Sequence, residues 1–404
     1  MKIAIIGGGA AGFFSAIAAK ENHKEAEVIL FERTQKLLAK VRISGGGRCN
    51  VTNACTSIKQ LSEAYPRGGK ALKKAFRVFS TKDTRQWFES RGVPLYAQTD
   101  NRMFPVSDSS QSIIDCLLKE SQKLGIKIQT GTRIEAIEAQ NKQLTLHFSK
   151  SHIEKQTFDK VIVASGGSPK KSGLDWLEKL GHTIETPVPS LFTFNMPSEK
   201  ITKLMGVVAD NALVRIQGSK LQSQGPLLVT HWGMSGPAIL KLSAFGARLL
   251  SDCGYRFKVQ VNWAGIPNQE EVAAGIEKTI AAHPKKKISN VRLYGLPERL
   301  WLFLLQKSDL QPDKRWLDLG KKQIHKLVTV LTHDIYSVSG KTTFKEEFVT
   351  CGGVSLKSIN FGTMESRVCK NLYFAGEVMD VDGITGGYNF QAAWTTGFIA
   401  GKLG

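Results

Sequence analysis

The sequence feature that most constrains the fold is a glycine-rich turn close to the amino terminus. A short apolar run leads directly into a Gly-x-Gly-x-x-Gly turn at 7–12, and a small-residue stretch, 13–20, follows. In such a βαβ unit Gly7 permits the tight turn, Gly9 lets a pyrophosphate approach the backbone, and Gly12 lets the helix pack on the strand. The amino terminus of the helix then offers N–H groups and a positive dipole end to the phosphates.

An acidic residue follows at the distance expected for this type of unit. Glu32 ends the second apolar run, 27–32, where a carboxylate can accept hydrogen bonds from both hydroxyls of an adenosine ribose. A negative charge at this place disfavours the additional phosphate of NADP. The strand, turn, helix and spaced acid therefore predict a Rossmann-like α/β domain that binds FAD or NAD.

A second glycine-rich loop has the sequence Ser-Gly-Gly-Gly-Arg-Cys-Asn at 44–50. Three successive glycines expose backbone N–H groups, and Arg48 adds a forked cationic donor. The loop can therefore form a nest for a phosphate or for the carbonyl and ring atoms of a flavin. A flexible surface turn is the alternative, but the compact polar ending at Asn50 favours a functional loop.

The carboxyl-terminal residues return to the same glycine-rich pattern. Gly376 and Glu377 end a short apolar strand, which places the carboxylate to bind ribitol or ribose hydroxyls. Gly387 then opens a small-residue helix whose amino terminus can face the flavin pyrimidine, where negative charge accumulates on reduction. Earlier in the chain, a buried-strand pattern ends at Ser165 and Gly166, and it resembles the strand-to-loop element that lies beside the cofactor in flavoproteins.

Periodicity predicts several other elements of the same domain. Apolar residues recur at helical spacing over 70–91 and 112–124. Short alternating runs at 126–129 and 143–148 are typical of a small antiparallel meander.

The pattern changes in the middle of the chain. We expect a β-rich part, 189–265, followed by a helical part, 266–344. Because this stretch separates 1–188 from 345–404, the sequence predicts a discontinuous cofactor-binding domain with an inserted substrate or cap domain.

Composition limits the class of protein and its partners. Among 404 residues, 55 Lys and Arg stand against 35 Asp and Glu, and the net charge of +20 favours anionic partners. RNA is a candidate, although basic stretches such as 285–287 lack interleaved aromatics, which is typical of a solvated surface. Six scattered cysteines without a Cys-x-x-Cys pair indicate reduced thiols and a cytoplasmic protein. Eight histidines without metal spacing predict no metal site, and no apolar run is long enough to span a membrane.

His231 is the candidate catalytic residue. It follows the β-like run 227–230 and begins a glycine-rich turn, so it could face a substrate at a domain junction. A single histidine is more often structural, and both interpretations stay open.

The ordered motifs resemble those of the BaiN/aminoacetone-oxidase-like (YhiN-type) family of FAD-dependent oxidoreductases, within the glutathione-reductase-like flavoprotein superfamily. The matching segments are 7–12, 44–53, 102–108, 230–237, 350–354 and 376–397. The resemblance implies noncovalent FAD held by a Rossmann-like (ββα three-layer) domain, with the inserted domain covering the flavin. The predicted cofactor-binding residues are Gly7, Gly9, Ala10, Ala11, Gly12, Glu32, Arg33, Lys40, Ser44, Gly46, Gly47, Arg48, Cys49, Asn50, Ser165, Gly166, Gly376, Glu377, Gly387, Tyr388 and Asn389.

The sequence therefore predicts an FAD-dependent oxidoreductase that exchanges hydride between flavin N5 and a small organic substrate lying between the two domains. NAD(P)H is a candidate reductant that docks transiently, because no second Gly-x-Gly-x-x-Gly occurs in 13–404. Two alternatives stay open: a flavoprotein acting on tRNA or other RNA, suggested by the net charge, and an FAD-binding module without turnover. The sequence defines neither the substrate nor the oligomeric state.

Overall fold

The structure, a computed structural model, describes residues 1–149, 155–342 and 349–404. The chain separates into two compact units, Met1–Ser190 with Lys345–Gly404 and Leu191–Phe344. Within the described ranges, no helix is both long and apolar enough to cross a membrane.

Both units contain strands and helices. In chain order the strands are β1 (Lys2–Ile6), β2 (Glu27–Phe31), β3 (Thr52–Asn53), β4 (Leu95–Ala97), β5 (Arg102–Pro105), β6 (Lys127–Gln129), β7 (Arg133–Gln140), β8 (Gln143–Ser149), β9 (Lys155–Phe158), β10 (Lys160–Val163), β11 (Ile184–Ser190), β12 (Thr193–Asn195), β13 (Val208–Ile216), β14 (Gln222–Thr230), β15 (Gly233–Ser235), β16 (Arg256–Asn262), β17 (Asp334–Ser339), β18 (Lys341–Thr342), β19 (Val349–Val354), β20 (Ile359–Asn360), β21 (Glu365–Ser366) and β22 (Leu372–Phe374). The helices are α1 (Ala10–Asn22), α2 (Ala39–Ile43), α3 (Ile58–Glu63), α4 (Gly69–Ala75), α5 (Thr81–Glu89), α6 (Ser110–Lys123), α7 (Asp175–Glu178), α8 (Pro237–Phe245), α9 (Ala247–Asp252), α10 (Gln269–Ala282), α11 (Glu298–Lys307), α12 (Lys321–Thr332) and α13 (Tyr388–Gly401).

A seven-stranded sheet in the order β20-β21-β22-β10-β1-β2-β6 forms the centre of the first unit. The strands from β22 to β6 are parallel, whereas β20 and β21 pair in antiparallel fashion at one edge. Parallel strands covered on both faces need near-continuous apolar runs, and the glycine turn follows such a run in β1.

Two further layers cover this sheet. Helices α1 and α13 pack together as one layer, and the antiparallel β7-β8-β9 meander forms the other. The ring of Phe31 on β2 contacts Phe148 and Phe158 of the meander, with ring centroids 5.2 and 5.8 Å apart. The predicted Rossmann-like α/β fold is therefore confirmed.

Two local predictions were wrong in detail. The expected helix over 70–91 is divided into α4 and α5, because Ser80 caps α5 by donating its backbone N–H and hydroxyl to Asp83 at 2.7 and 2.6 Å. The run 126–129 does not enter the meander. Instead it forms β6, which pairs in parallel with β2. Parallel pairing requires a crossover connection between the two strands, and such a connection usually contains a helix.

An aromatic cluster fixes the helices that carry the glycine-rich ends. Phe14 of α1 contacts Phe79, Trp87 and Trp394, with ring centroids 5.4, 4.6 and 5.2 Å away. Because these side chains are buried, α13 is held against α1 although the two helices come from opposite ends of the chain.

The second unit is built on its own seven-stranded sheet, in the order β17-β16-β13-β14-β15-β12-β18. Helices α8 and α9 fall among its earlier strands, and β17 and β18 follow α10–α12. Its core is separate from that of the first unit and contains the buried side chains of Trp263, Trp301 and Trp316.

Candidate functional site

The glycine turn joins β1 directly to α1. A Cβ added to Gly12 would lie 1.8 Å from the carbonyl oxygen of Gly7, so only glycine permits this close packing. Gly9 faces open space instead, with no heavy atom within 4 Å of an added Cβ. No side chain in the described ranges caps α1, whose first residues are Ala10 and Ala11. The turn is thus shaped for an anion at the helix amino terminus.

Glu32 lies beside this turn. Its Oε2 accepts a hydrogen bond from the backbone N–H of Gly8 at 2.9 Å, and its Oε1 accepts from the backbone and hydroxyl of Thr34 at 2.8 and 2.9 Å. These bonds orient the carboxylate at the end of β2, while the neighbouring Arg33 is exposed.

The second glycine-rich loop makes a tight turn over Ser44–Gly47, in which Gly45 and Gly46 have positive φ angles of 59° and 68°, a conformation that favours glycine. Gly46 and Gly47 present open faces, with no heavy atom within 4 Å of an added Cβ. Arg48 lies over the ring of Phe104 at 4.4 Å and donates from Nε to the carbonyl of Gly45 at 3.3 Å. The guanidinium is therefore held beside the loop rather than extended into solvent.

Cys49 belongs to the same loop but is completely buried. Burial raises the pKa of its thiol to about 12. The residue is therefore a neutral thiol at physiological pH, which suits packing rather than redox chemistry.

This loop is bonded to the amino terminus of α13. In the amide orientation that satisfies both partners, Asn50 accepts from the Gly387 N–H at 2.9 Å and donates to the Thr52 carbonyl at 3.0 Å. A Cβ on Gly387 would lie 2.3 Å from that same carbonyl oxygen, so the approach requires glycine. Asn53 donates to the Gly386 carbonyl at 3.0 Å. Two segments predicted separately from the sequence therefore form one site.

Glu377 connects three further segments. One carboxylate oxygen forms a 2.7 Å ion pair with Lys40, and the other accepts the backbone N–H of Thr350 at 2.8 Å. A Cβ on Gly167 would lie 2.8 Å from Glu377 Oε1, so the loop that begins with Ser165 and Gly166 passes directly beside the carboxylate.

The predicted residues next to these are held by backbone contacts. A Cβ on Gly376 would lie 2.8 Å from the Cβ of Ala11, which brings the carboxyl-terminal segment onto the start of α1. The carbonyl of Tyr388 accepts from the Tyr65 hydroxyl at 2.7 Å. The side-chain amide of Asn389 accepts a hydrogen bond from the Gly383 N–H at 2.8 Å and donates one to the Gly383 carbonyl at 3.0 Å. These two bonds fix the loop before α13.

His231 is the one predicted site residue in the second unit. It is exposed in the two-residue turn between β14 and β15, and its ring meets that of Trp232 edge-on at 4.0 Å. Its catalytic role stays a prediction.

Sequence reasoning missed a buried polar cluster at the site. Asp382 is fully buried and is paired with Arg67, whose Nε donates to Oδ1 at 2.5 Å. The Ser190 hydroxyl donates to Oδ2 at 2.7 Å. Burial raises the pKa of the Asp382 carboxyl, and the hydrogen bonds from Arg67 and Ser190 act in the opposite direction. Asp382 falls within the matching segment 376–397, but no pattern in the sequence indicates its partners Arg67 and Ser190.

Thr350 lies in the matching segment 350–354 but was not among the predicted site residues. Its side-chain Oγ1 is buried and has no hydrogen-bond partner among the described residues. A Cβ on Gly167 would lie 2.5 Å from this atom, so the Thr350 hydroxyl and the Glu377 carboxylate both lie beside Gly167. A buried hydroxyl that lacks a partner among the described residues costs free energy, and it is available to a bound ligand.

The residues present fit FAD. The open faces of Gly9, Gly46, Gly47 and Gly166 leave room for an extended ligand beside the backbone. The uncapped start of α1, the oriented carboxylates of Glu32 and Glu377, and the Thr350 hydroxyl supply donors and acceptors along it. Together with the fold, this site defines an oxidoreductase of the flavoprotein class.

The chain belongs to the family described as the HI0933-like protein Rossmann domain, whose model matches residues 1–403. This match confirms the resemblance drawn from the motifs. Among its curated relatives is the 3-dehydro-bile acid delta(4,6)-reductase of Clostridium scindens, 29% identical over 99% of this chain and 98% of the relative. The ribosomal RNA dihydrouridine synthases of Haemophilus influenzae and Escherichia coli are each 28% identical over 98% of this chain and 96% of theirs.

A solved structure with the same fold is the 3-ketosteroid delta1-dehydrogenase of Sterolibacterium denitrificans in complex with 1,4-androstadiene-3,17-dione. The TM-score is 0.53 at 10% identity, over 99% of this chain and 98% of that one. The likeness concerns the fold.

Proposed function

We propose that this protein is an FAD-dependent reductase that saturates a carbon–carbon double bond conjugated with a carbonyl group, and that its substrate is uridine in ribosomal RNA. The names of the curated relatives support the reaction class. A 3-dehydro-bile acid delta(4,6)-reductase and a dihydrouridine synthase both add hydrogen across a ring double bond that is conjugated with a carbonyl. The two substrates differ, but the bond that is reduced has the same electron-poor character.

The chain's own residues bind and orient the cofactor in this proposal. Bound FAD, once reduced by the electron donor, would supply a hydride to the electron-poor carbon of the substrate double bond. The start of α1 takes the pyrophosphate, and Glu32 takes the adenosine ribose. Glu377 and Thr350 take the ribitol hydroxyls. The segment in which Asn50 contacts Gly387 takes the pyrimidine end.

The net charge of +20 is the observation that favours RNA over a bile acid as the substrate. A bile acid has a single ionised group, whereas RNA has one negative charge for every nucleotide. The affinity gained by counterion release grows with the number of phosphates contacted. A strongly basic protein therefore suits the polyanion, although the percent identities to the two kinds of relative are nearly equal.

Two further roles belong to the proposal. NAD(P)H docks transiently as the reductant, since residues 13–404 contain no second dinucleotide fingerprint. The inserted domain, 189–344, contacts the substrate through its turn at 231–232, and the exposed His231 in this turn is the candidate proton donor.

The test begins with the purified protein and identification of its released chromophore as FAD. Anaerobic titration with NADH and NADPH follows, and bleaching of the flavin spectrum identifies the donor. The reduced protein is then incubated with unmodified ribosomal RNA transcribed in vitro, and the digested nucleosides are examined for dihydrouridine by mass spectrometry. The same RNA incubated with free reduced FAD is the control.

The outcomes separate the candidate functions. Dihydrouridine formed only with the protein supports the proposal. Reduction of a 3-oxo bile acid dienone, with the RNA unchanged, would replace RNA by a steroid-like substrate in the same reaction class. If dithionite reduces the bound FAD but neither NADH nor NADPH does, the result would instead indicate an FAD-binding module without turnover.

A further inference from the structure

One segment of the first unit, 64–82, is strongly basic. Residues 64–82 contain six Lys and Arg side chains and no Asp or Glu. These 19 residues therefore account for six of the +20 net charges of a chain of 404 residues. Arg67 is committed to the buried carboxylate of Asp382, and the other five side chains are exposed.

Four of these cations share one face of a helix. Lys70, Lys73, Lys74 and Arg77 follow the spacing i, i+3, i+4 and i+7 over α4 and the turn that continues it, where the Arg77 N–H donates to the Lys74 carbonyl at 3.2 Å. Within the described residues, none of the four forms an ion pair with an acidic side chain. They make up the α4 cationic stripe, which is about 10 Å long at 1.5 Å per residue.

The opposite face of the same helix fixes the direction of this stripe. Leu72, Ala75 and Phe76 are at most 1% exposed and belong to the core of the first unit. The helix therefore cannot rotate its cations away from solvent. Like charges at i, i+3 and i+4 destabilise a helix by about 0.2–0.5 kcal/mol per pair, and no acidic side chain among the described residues pairs with these cations to offset that cost.

The stripe begins directly beside the candidate functional site. Tyr65, which precedes α4, donates to the Tyr388 carbonyl at 2.7 Å, and a Cβ on Gly68 would lie 2.7 Å from the side chain of Val381. Arg67 binds Asp382 in the same loop. All of these residues belong to one compact unit, so the start of α4 is fixed against the loop that leads into α13.

We propose that the α4 cationic stripe binds backbone phosphates of the RNA substrate and so holds the target nucleotide at the site. This inference rests on the proposed RNA substrate. Lysine acts as a point charge for phosphate and carries no base-reading geometry, so the contacts position the strand and do not select its sequence. The stripe contains no exposed aromatic side chain, so base stacking is not part of the proposed contact.

A second basic segment provides a matched control. Lys285, Lys286 and Lys287 are exposed in the second unit, on a segment held to 314–317 by backbone hydrogen bonds such as Trp316 N–H to the Lys286 carbonyl at 3.0 Å. The variants K70Q/K73Q/K74Q and K285Q/K286Q/K287Q each remove three exposed lysines. Their net charges are equal, so any difference between them reflects position on the surface.

The experiment measures RNA affinity as a function of salt. Binding of unmodified, in vitro transcribed ribosomal RNA is followed by fluorescence anisotropy for the FAD-loaded wild type and both variants. We expect the slope of log K against log salt to decrease in magnitude by about 2 in K70Q/K73Q/K74Q, because each lost phosphate contact removes roughly 0.7–0.9. The slope for K285Q/K286Q/K287Q stays at the wild-type value. Bound FAD and the thermal unfolding midpoint report that each variant is folded.

Three results would count against the inference. An unchanged slope in K70Q/K73Q/K74Q excludes phosphate contacts by the stripe, and equal losses in both variants indicate a diffuse charge effect. If the wild type binds RNA, neither of these two results contradicts the proposed function. Absence of RNA binding by the wild type at low salt overturns the proposed RNA substrate itself, and the inference with it.

Discussion

Lys40 and Glu377 form a 2.7 Å ion pair although they lie 337 residues apart in the sequence. The second oxygen of Glu377 accepts the Thr350 N–H, so the carboxylate is held from two directions. The Lys40 side chain is 50% exposed, and such pairs contribute only about 0–1 kcal/mol to stability. Positioning of the carboxylate is therefore the main consequence of these contacts.

Replacing Glu377 by glutamine tests its proposed contact with the cofactor. The E377Q variant loses a charge-assisted hydrogen bond to a ribitol hydroxyl, and we expect the Kd for FAD to rise about 10-fold, equivalent to roughly 1.4 kcal/mol. Titration of the apoprotein with FAD measures this. E89Q is the matched control, because it breaks the ion pair with Arg85 on α5. An FAD affinity equal in both variants would remove Glu377 from the binding site.

The glycine turn allows packing to be separated from ligand binding. In G12A the new Cβ collides with the Gly7 carbonyl, and we expect a loss of unfolding free energy of about 1–3 kcal/mol together with loss of FAD. In G9A the new Cβ meets no protein atom within 4 Å, so the protein folds normally. It then fills the space proposed for the pyrophosphate.

Urea unfolding of the apoproteins and FAD titration distinguish these two effects. The expected pattern is reduced stability in G12A alone and weakened FAD binding in both variants. A G9A protein with wild-type FAD affinity would contradict the placement of the pyrophosphate.

The unpaired hydroxyl of Thr350 predicts opposite effects on stability and binding. T350V removes a buried polar group that has no partner among the described residues, so we expect the apoprotein to gain about 1 kcal/mol in unfolding free energy. The same variant loses a donor to FAD, and its Kd rises. T350S, which keeps the hydroxyl, should retain wild-type affinity. Unaltered FAD binding in T350V would show that the hydroxyl has no cofactor role.

The cofactor frame was predictable because its chemistry is local in the sequence. The turn at 7–12 needs three glycines at fixed spacing, and the end of β2 needs an acid, so both leave a readable pattern. The division of 70–91 was readable too, since Ser80 and Asp83 have the spacing of a capping box. The helical periodicity on both sides of the break nevertheless led to the prediction of one continuous helix.

The contacts between distant segments were not predictable in the same way. Arg67 reaches Asp382 across 315 positions, and Thr52 reaches Gln391 across 339. Neither pair has a characteristic spacing, because only the tertiary fold brings its members together. The parallel pairing of β6 with β2 depends likewise on a helical crossover.

Breaking the buried ion pair between Arg67 and Asp382 is expected to lower the free energy of unfolding. In D382N the guanidinium of Arg67, only 13% exposed, loses its counter-charge, and we expect a loss of about 3–5 kcal/mol in unfolding free energy. The double variant R67M/D382N removes the unpaired cation and should lose less than D382N alone. Urea denaturation of the wild type, D382N, R67M and the double variant measures the coupling, and strictly additive losses would contradict it.

Burial of the Cys49 thiol predicts a specific dependence on pH. The pKa is about 12 in the folded protein, whereas an unfolded cysteine ionises near pH 8.5. Unfolding therefore releases a proton at alkaline pH, so this contribution to stability is fully present below pH 8.5 and declines as the pH rises towards 12. C49A should remove up to about 1.4 kcal/mol per pH unit from the slope of stability against pH in that interval.

Alkylation provides a direct measurement of the same property. At pH 9, native Cys49 should resist iodoacetamide while the exposed Cys253 reacts, and both should react after unfolding in urea. Peptide mapping by mass spectrometry assigns the modified sites. Equal alkylation of Cys49 and Cys253 in the native protein would contradict the buried, neutral thiol, because only an accessible thiolate reacts at that rate. A protected Cys49 would leave the glycine-rich loop at 44–50 to act through its backbone and Arg48 rather than through sulfur chemistry.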